Sequence, residues 1–157
     1  MIQFGGHFHA AGLEIELTKI DEFKKAFNNI ASSEITVEQM VPEIEIDAEI
    51  TFDELNEKTI KILSFFEPFG PENMAPIFVT RDVQIIGDVR FAKANTHIFK
   101  VRDNDSKKIF ESVFFNSLEY KDVIQTGNIC DICYSIDRSF WNGRETTKLR
   151  IRDMIAS

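Results

Sequence analysis

In "EIEIDAEIT" (43–51) apolar and charged residues alternate strictly, with Ile44, Ile46, Ala48 and Ile50 on one side and acids on the other. This is the pattern of a half-buried strand. "LEIEL" (13–17) alternates in the same way and predicts another. Between them the period lengthens. Ile20, Phe23, Phe27 and Ile30 recur at helical spacing and predict an amphipathic helix over residues 19–31, with Thr18 and Asp21 as a weak capping pair. A polar stretch, "SSEITVEQMVPE", follows as a linker. Leu55, Thr59, Ile62 and Phe66 predict a second helix, capped by Thr51 with Glu54 and ended by Pro68, Gly70 and Pro71. After Pro76 the helical periods disappear. "IFVT", "VQIIGDVRF", "THIFKVRD", "KKIFESVFF", "NICDICYSID" and "TTKLRIRDMI" are short strand candidates separated by Gly and Asn. Roughly five strands in so short a span predict a small OB-type barrel.

The expected class is therefore α+β. An α/β segment (1–31) leads through a linker with a strand and a helix (32–76) to a five-stranded barrel (77–157). Charge changes this picture. The net charge of −8 argues against a nucleic-acid partner at first sight. Residues 1–75, however, hold 5 Lys and Arg against 15 Asp and Glu, whereas residues 76–157 hold 13 against 11. The acidity belongs to the first half, and the barrel half is free to face a polyanion. No apolar run nears the roughly 18 residues of a membrane span, and no membrane partner is expected. Two cysteines do not make a disulfide framework, so the expected location is the reducing cytoplasm.

Three constellations carry candidate chemistry. In "FGGHFHAAG" (4–12), adjacent glycines followed by His7 suit either a tight turn with packed histidines or a loop holding phosphate on backbone N–H groups. A metal at His7 and His9 lacks further ligands elsewhere in the chain. In "CDIC" (130–133), strand alternation puts Cys130 and Cys133 on opposite faces, which excludes a shared metal or an easy disulfide. The barrel half, finally, carries two basic rows. Lys100 and Arg102 share one face of a strand, and Lys148, Arg150 and Arg152 share a face of another. Such rows are also how a solvated face looks. Asn142-Gly143 marks a hairpin that groups Arg138, Phe140, Trp141 and Arg144, while Phe91 and Lys93 sit on the connection between the first two barrel strands. Rings interleaved with cations are what single-stranded nucleic acid requires. The three histidines have no Asp neighbours, and neither GxSxG nor a phosphate-binding loop motif is present, so the chain carries no complete catalytic centre.

Taken together, "GGHFHAAG", "EPFGPENMAPIF" (67–78) and "CYSIDRSFWNGRETTKLRIRDM" (133–154) resemble the C-terminal part of the RecJ single-strand-specific DNA exonucleases of the DHH phosphoesterase superfamily. GGHxxAAG is similar to the signature of their DHHA1 subdomain, and the last two stretches to the entry into and final hairpin of their OB domain. The resemblance spans nearly the whole chain. It implies a fragment: a truncated DHHA1 segment followed by an OB domain, with Met1 an artificial start or a truncated reading frame. It implies a parent that degrades single-stranded DNA from the 5′ end in recombination and repair with Mn²⁺ or Mg²⁺. The metal-binding motifs would lie in an N-terminal domain, so this piece would bind no cofactor, bind DNA and not hydrolyse it. Gly5, Gly6 and His7 would hold substrate phosphate. Phe91, Lys93, Lys100, Arg102, Arg138, Trp141, Arg144, Lys148 and Arg150 would contact the strand. His9 departs from the small or apolar residue expected there. Single-strand-binding protein or other repair proteins are further expected partners. A protein-docking OB module, or part of an RNA or short-oligonucleotide DHH phosphoesterase, are the alternatives.

Overall fold

The computed structural model describes residues 2–7, 10–141 and 144–157, with the backbone alone for residues 140, 141, 144 and 145. The chain forms two compact units, Met1–Ile44 and Glu45–Ser157.

In the first unit, β1 (Gln3–His7) pairs antiparallel with β2 (Ala10–Glu14), Phe4 opposite Leu13 and Gly6 opposite Ala11. The glycine pair thus lies on a strand, not in a loop. Gly6 is there for close approach, since a Cβ would sit 2.8 Å from the Ala10 carbonyl oxygen and the Ala11 Cα. The strand expected at "LEIEL" starts earlier and ends at Glu14, because β1 offers no partner beyond that point. Leu17–Lys19 instead winds into a 3-10 turn that runs into α1 (Ile20–Glu34). The helix follows the predicted period, and the Phe23 and Phe27 rings lie 5.8 Å apart. None of the described residues in this unit is buried.

The second unit contains β3 (Ala48–Glu49), α2 (Glu57–Ser64), β4 (Phe78–Ala92), β5 (Thr96–Arg102), β6 (Ile109–Phe114), β7 (Ile129–Trp141) and β8 (Arg144–Ala156). The strand order β3-β4-β5-β6-β8-β7 is closed by a second pairing, β4 with β7. Strands β4 to β8 therefore form the expected five-stranded OB-type barrel, antiparallel except for the parallel pair β6–β8. "IFVT" and "VQIIGDVRF" are one strand rather than two. β4 survives its irregularities by bulging, first between Thr80 and Val83 and again at Gly87, whose φ of +66° suits glycine. It can then serve β7 with its first half and β5 with its second.

Apolar residues at alternate positions fill the barrel: Val83, Ile85, Phe99, Val101, Phe114, Ile132, Tyr134, Leu149 and Ile151. The stretch expected to be linker contributes too. Phe52 and Leu55 are buried in the same core, and Asp47 and Ile50 donate backbone hydrogen bonds to Ile77 and Val79. The compact unit therefore begins at Glu45, not at 77. Thr51 and Glu54 do pair, with the Thr51 N–H donating to Glu54 Oε2 at 2.8 Å, but they close a turn ahead of α2. The helix is capped by Asn56, whose Oδ1 accepts from the Thr59 N–H. Asn73 then ties the following Pro-rich stretch together, donating to the carbonyls of Phe66 and Pro68 at 2.8 and 3.0 Å. Among the described residues, no helix is long and apolar enough to cross a membrane.

Candidate nucleic-acid interface

The registers of β4 to β8 sort the basic and aromatic residues into rows across the barrel. Phe91, His97, Phe114, Ile151 and Tyr134 form one inward row near the β4–β5 connection. The next outward row is Arg90, Ile98, Val113, Arg150 and Ser135. Beyond it runs Ile86, Lys100, Glu111, Lys148 and Asp137. The Trp141 end of β7 and the Arg144 end of β8 lie at the far end of the strands, so they and the β4–β5 connection bracket this outer face.

Lys100 is exposed on the face as predicted, and Lys93 is exposed in the β4–β5 connection. The other basic positions are less free than the sequence suggests. Lys148 Nζ is held by Glu111 Oε1 at 2.5 Å. Arg102 shares the face but commits its guanidinium to Gln84 Oε1, also at 2.5 Å. Arg138 has the inward parity of Tyr134 and Ile136, and it pairs with Glu67 at 3.6 Å rather than standing at the hairpin. Arg150 lies over the Phe115 ring, 5.1 Å from its centroid, and Phe115 is itself exposed. The row through Lys100 thus alternates in sign where an open cationic row was expected. The alternation predicts faces from local sequence, but Glu111 reaches Lys148 across a parallel pairing that no local pattern announces.

Phe91 also differs from expectation. Its ring has inward parity and closes the barrel end against the His97 imidazole, 4.9 Å between centroids, while remaining 58% exposed. His97 is buried, and its Nδ1 is 2.8 Å from Ser117 Oγ. Ser117 Oγ also accepts from the His97 N–H and donates to the Phe114 carbonyl. Burial lowers the His97 pKa, favouring the neutral ring. The outward neighbour of Phe91 is Arg90, which the sequence reading missed although alternation along "VQIIGDVRF" places it beside Gln84, Ile86 and Asp88. Arg90, Ile98, Lys100 and Glu111 line a depression of about 270 Å³, with Gly87 and Asp88 at its bulged edge. Among the described residues neither Arg90 nor Lys100 has an ion-pair partner.

Trp141 and Arg144 pair across the β7–β8 hairpin in backbone register, and their side chains lie outside the described residues, as do His9 and Asn142-Gly143 altogether. In the first unit, Gly5, Gly6 and His7 are exposed along β1, with open space above Gly5. Cys130 and Cys133 are buried and not joined in a disulfide, and the alternation of β7 turns them to opposite faces. Burial, with Asp131 adding to it, pushes the Cys130 thiol up to about 12. Among the described residues, no three His, Cys, Asp or Glu side chains are grouped to hold a metal ion.

The barrel order is that of an OB fold, and residues 46–153 match the RecJ OB domain. The chain belongs to the RecJ OB domain family. The RecJ match begins where the compact unit begins, which makes Phe52 and Leu55 part of the domain. The single-stranded-DNA-specific exonuclease RecJ of Bacillus subtilis (strain 168) is 28% identical over 155 residues, covering 98% of this chain and 20% of that protein. The enzyme of the same name from Dickeya dadantii (strain 3937) is 31% identical over 78 residues, covering 50% of this chain and 14% of its own length. The crystal structure of RecJ from Thermus thermophilus in complex with Mn²⁺ shares the fold, with a TM-score of 0.69 at 17% identity over 98% of this chain and 22% of that one. The chain thus spans about a fifth or less of the length of these RecJ relatives.

Proposed function

We propose that this chain is the strand-gripping C-terminal portion of a single-stranded-DNA-specific exonuclease acting 5′ to 3′ in recombination and repair. The observation that carries the reading is the outer barrel face, where Arg90 and Lys100, without an ion-pair partner among the described residues, flank an apolar floor at Ile98, with Lys93 on the bracketing connection. Cations spaced around apolar surface meet the phosphates of a flexible strand while its bases find the floor. A rigid duplex cannot turn its bases inward in that way. The family likeness and the RecJ relatives support the same partner. Hydrolysis by metal-bound water calls for a ligand set that the described residues do not bring together, and the proposal gives that step to other parts of the parent enzyme with its Mn²⁺ or Mg²⁺. Gly5, Gly6 and His7 would face substrate phosphate there. The intact enzyme would work in the cytoplasm, with single-strand-binding protein or other repair proteins as partners.

The test is a fluorescence titration of labelled single- and double-stranded oligomers at two salt concentrations. With about three phosphates engaged, log K should fall with log salt at a slope of about −2 for the single strand. A duplex bound as tightly as the single strand, or binding indifferent to salt, would overturn the proposal. A protein-docking role is the second reading, favoured by the exposed Phe65, Phe66 and Met74 beside the tightly hydrogen-bonded 66–73 turn. Single-strand affinity unchanged in an Arg90→Ala, Lys100→Ala double variant would favour it.

A further inference from the structure

The depression on the outer face is walled by acids as well as cations, which phosphate binding alone does not explain. Asp88 and Glu111 line it together with Gly87, Arg90, Ile98 and Lys100. Glu111 is fixed in place by Lys148 at 2.5 Å and stands across the β5–β6 register from Lys100. Gly87 leaves open space above the bulge. At about 270 Å³ the depression lies just under the ~300–1,000 Å³ range of small-molecule pockets and has room for a nucleobase.

We infer that this depression is a nucleobase subsite selecting bases that carry an exocyclic amino group over thymine. An ionised carboxylate only accepts hydrogen bonds. A phosphate brought against Asp88 or Glu111 is repelled, so the strand enters base first and leaves its phosphates to Arg90 and Lys100 at the rim. Cytosine, adenine and guanine then present an N–H₂ donor to a carboxylate. Thymine flanks its one N–H with two carbonyl oxygens, setting lone pairs against lone pairs. Ile98 supplies the apolar floor under either kind of ring.

The inference rests on the single-strand-binding reading, and its test separates the two. Oligomers of deoxythymidine and of 5-methyldeoxycytidine, equal in length, share the ring methyl and differ at the Watson–Crick edge. The unsubstituted chain at neutral pH should bind the 5-methylcytosine oligomer about five-fold more tightly, as one charge-assisted hydrogen bond in a half-open site gives. Asp88→Asn adds an amide donor that thymine can use, and should cut the preference below about two-fold. Glu111→Gln should act in the same direction, and melting curves would first establish that both variants are folded. Equal affinity of the unsubstituted chain for the two oligomers overturns the inference and leaves single-strand binding standing. Binding to neither oligomer overturns the single-strand reading and the inference with it. A preference that survives intact in both variants overturns the assignment to these carboxylates.

Discussion

Replacing Phe52 by Ala tests whether the segment ahead of the first barrel strand is part of the barrel. Phe52 is fully buried, its ring edge-on to Phe110 at 4.9 Å and to Tyr134 at 6.4 Å. Truncating a buried Phe costs ~3–5 kcal/mol through lost transfer energy and the cavity left behind. Two edge-to-face ring contacts, each worth up to ~1 kcal/mol beyond burial, put this site near ~4 kcal/mol. In a unit of about 110 residues each kcal/mol shifts the melting point by ~3–5 °C, so a drop of ~12–20 °C is expected. Urea unfolding followed by far-UV circular dichroism reads the free energy directly, and a circular dichroism melt reads the temperature. Phe52→Leu, which keeps most of the volume, should cost only ~1 kcal/mol. A chain begun at 77 should not hold the barrel at all, lacking Phe52, Leu55 and the β3 pairing. A Phe52→Ala loss below ~1.5 kcal/mol, or a stable barrel from 77 onward, would refute the claim that the core extends upstream.

Acid should destabilise the barrel in two windows. His97 is held neutral in the fold with its pKa lowered by burial, so the unfolded chain takes up a proton first as pH falls below about 6.5, and the urea midpoint should drop there. His97→Gln should flatten that part of the profile. Burial alone would raise the Asp103 pKa, but N–H donors from Asp105, Phe52 and Ser106 outweigh it and hold the carboxyl below its ordinary value. Its contribution is present above pH ~4 and lost below, a step that Asp103→Asn should remove. The Cys130 thiol, pushed up to about 12, and the likewise buried Cys133 should resist aromatic disulfide reagents at neutral pH until the protein unfolds; rapid reaction of either thiol in the native state would contradict their placement. An Arg90→Ala change should lower single-strand affinity about three- to ten-fold and reduce the salt slope by ~0.7, whereas Arg138→Ala, at an arginine paired to Glu67, should leave the slope unchanged.

The barrel strands were legible because each is bounded by turn residues and alternates inward and outward, so Leu149 and Ile151 inward with Lys148 and Arg150 outward could be read directly. Phe52 and Leu55 were not. Phe52 sits in a turn with no period, Leu55 reads as the start of the second helix's period although that helix begins at Glu57, and only tertiary packing reveals that both are barrel core. The two glycines at 5 and 6 read equally as turn or anion loop, and the structure gives Gly6 a steric reason on a strand instead. The basic positions were found, but their engagement by Glu111, Gln84 and Glu67 depends on contacts between residues 18 to 71 positions apart. Arg90 was missed beside the more conspicuous Phe91, although strand parity alone assigns the arginine to the outer face.

The parallel pairing of β6 with β8 has a consequence for how the protein is made. β8, the last barrel strand in chain order, is inserted between β6 and β7. Until residues 144–156 have left the ribosome, both neighbours present unpaired edges to whatever else is nearby. Closure is therefore a late event in biosynthesis, and a nascent chain stalled ahead of Arg144 would be an open sheet ready to pair with a second nascent chain.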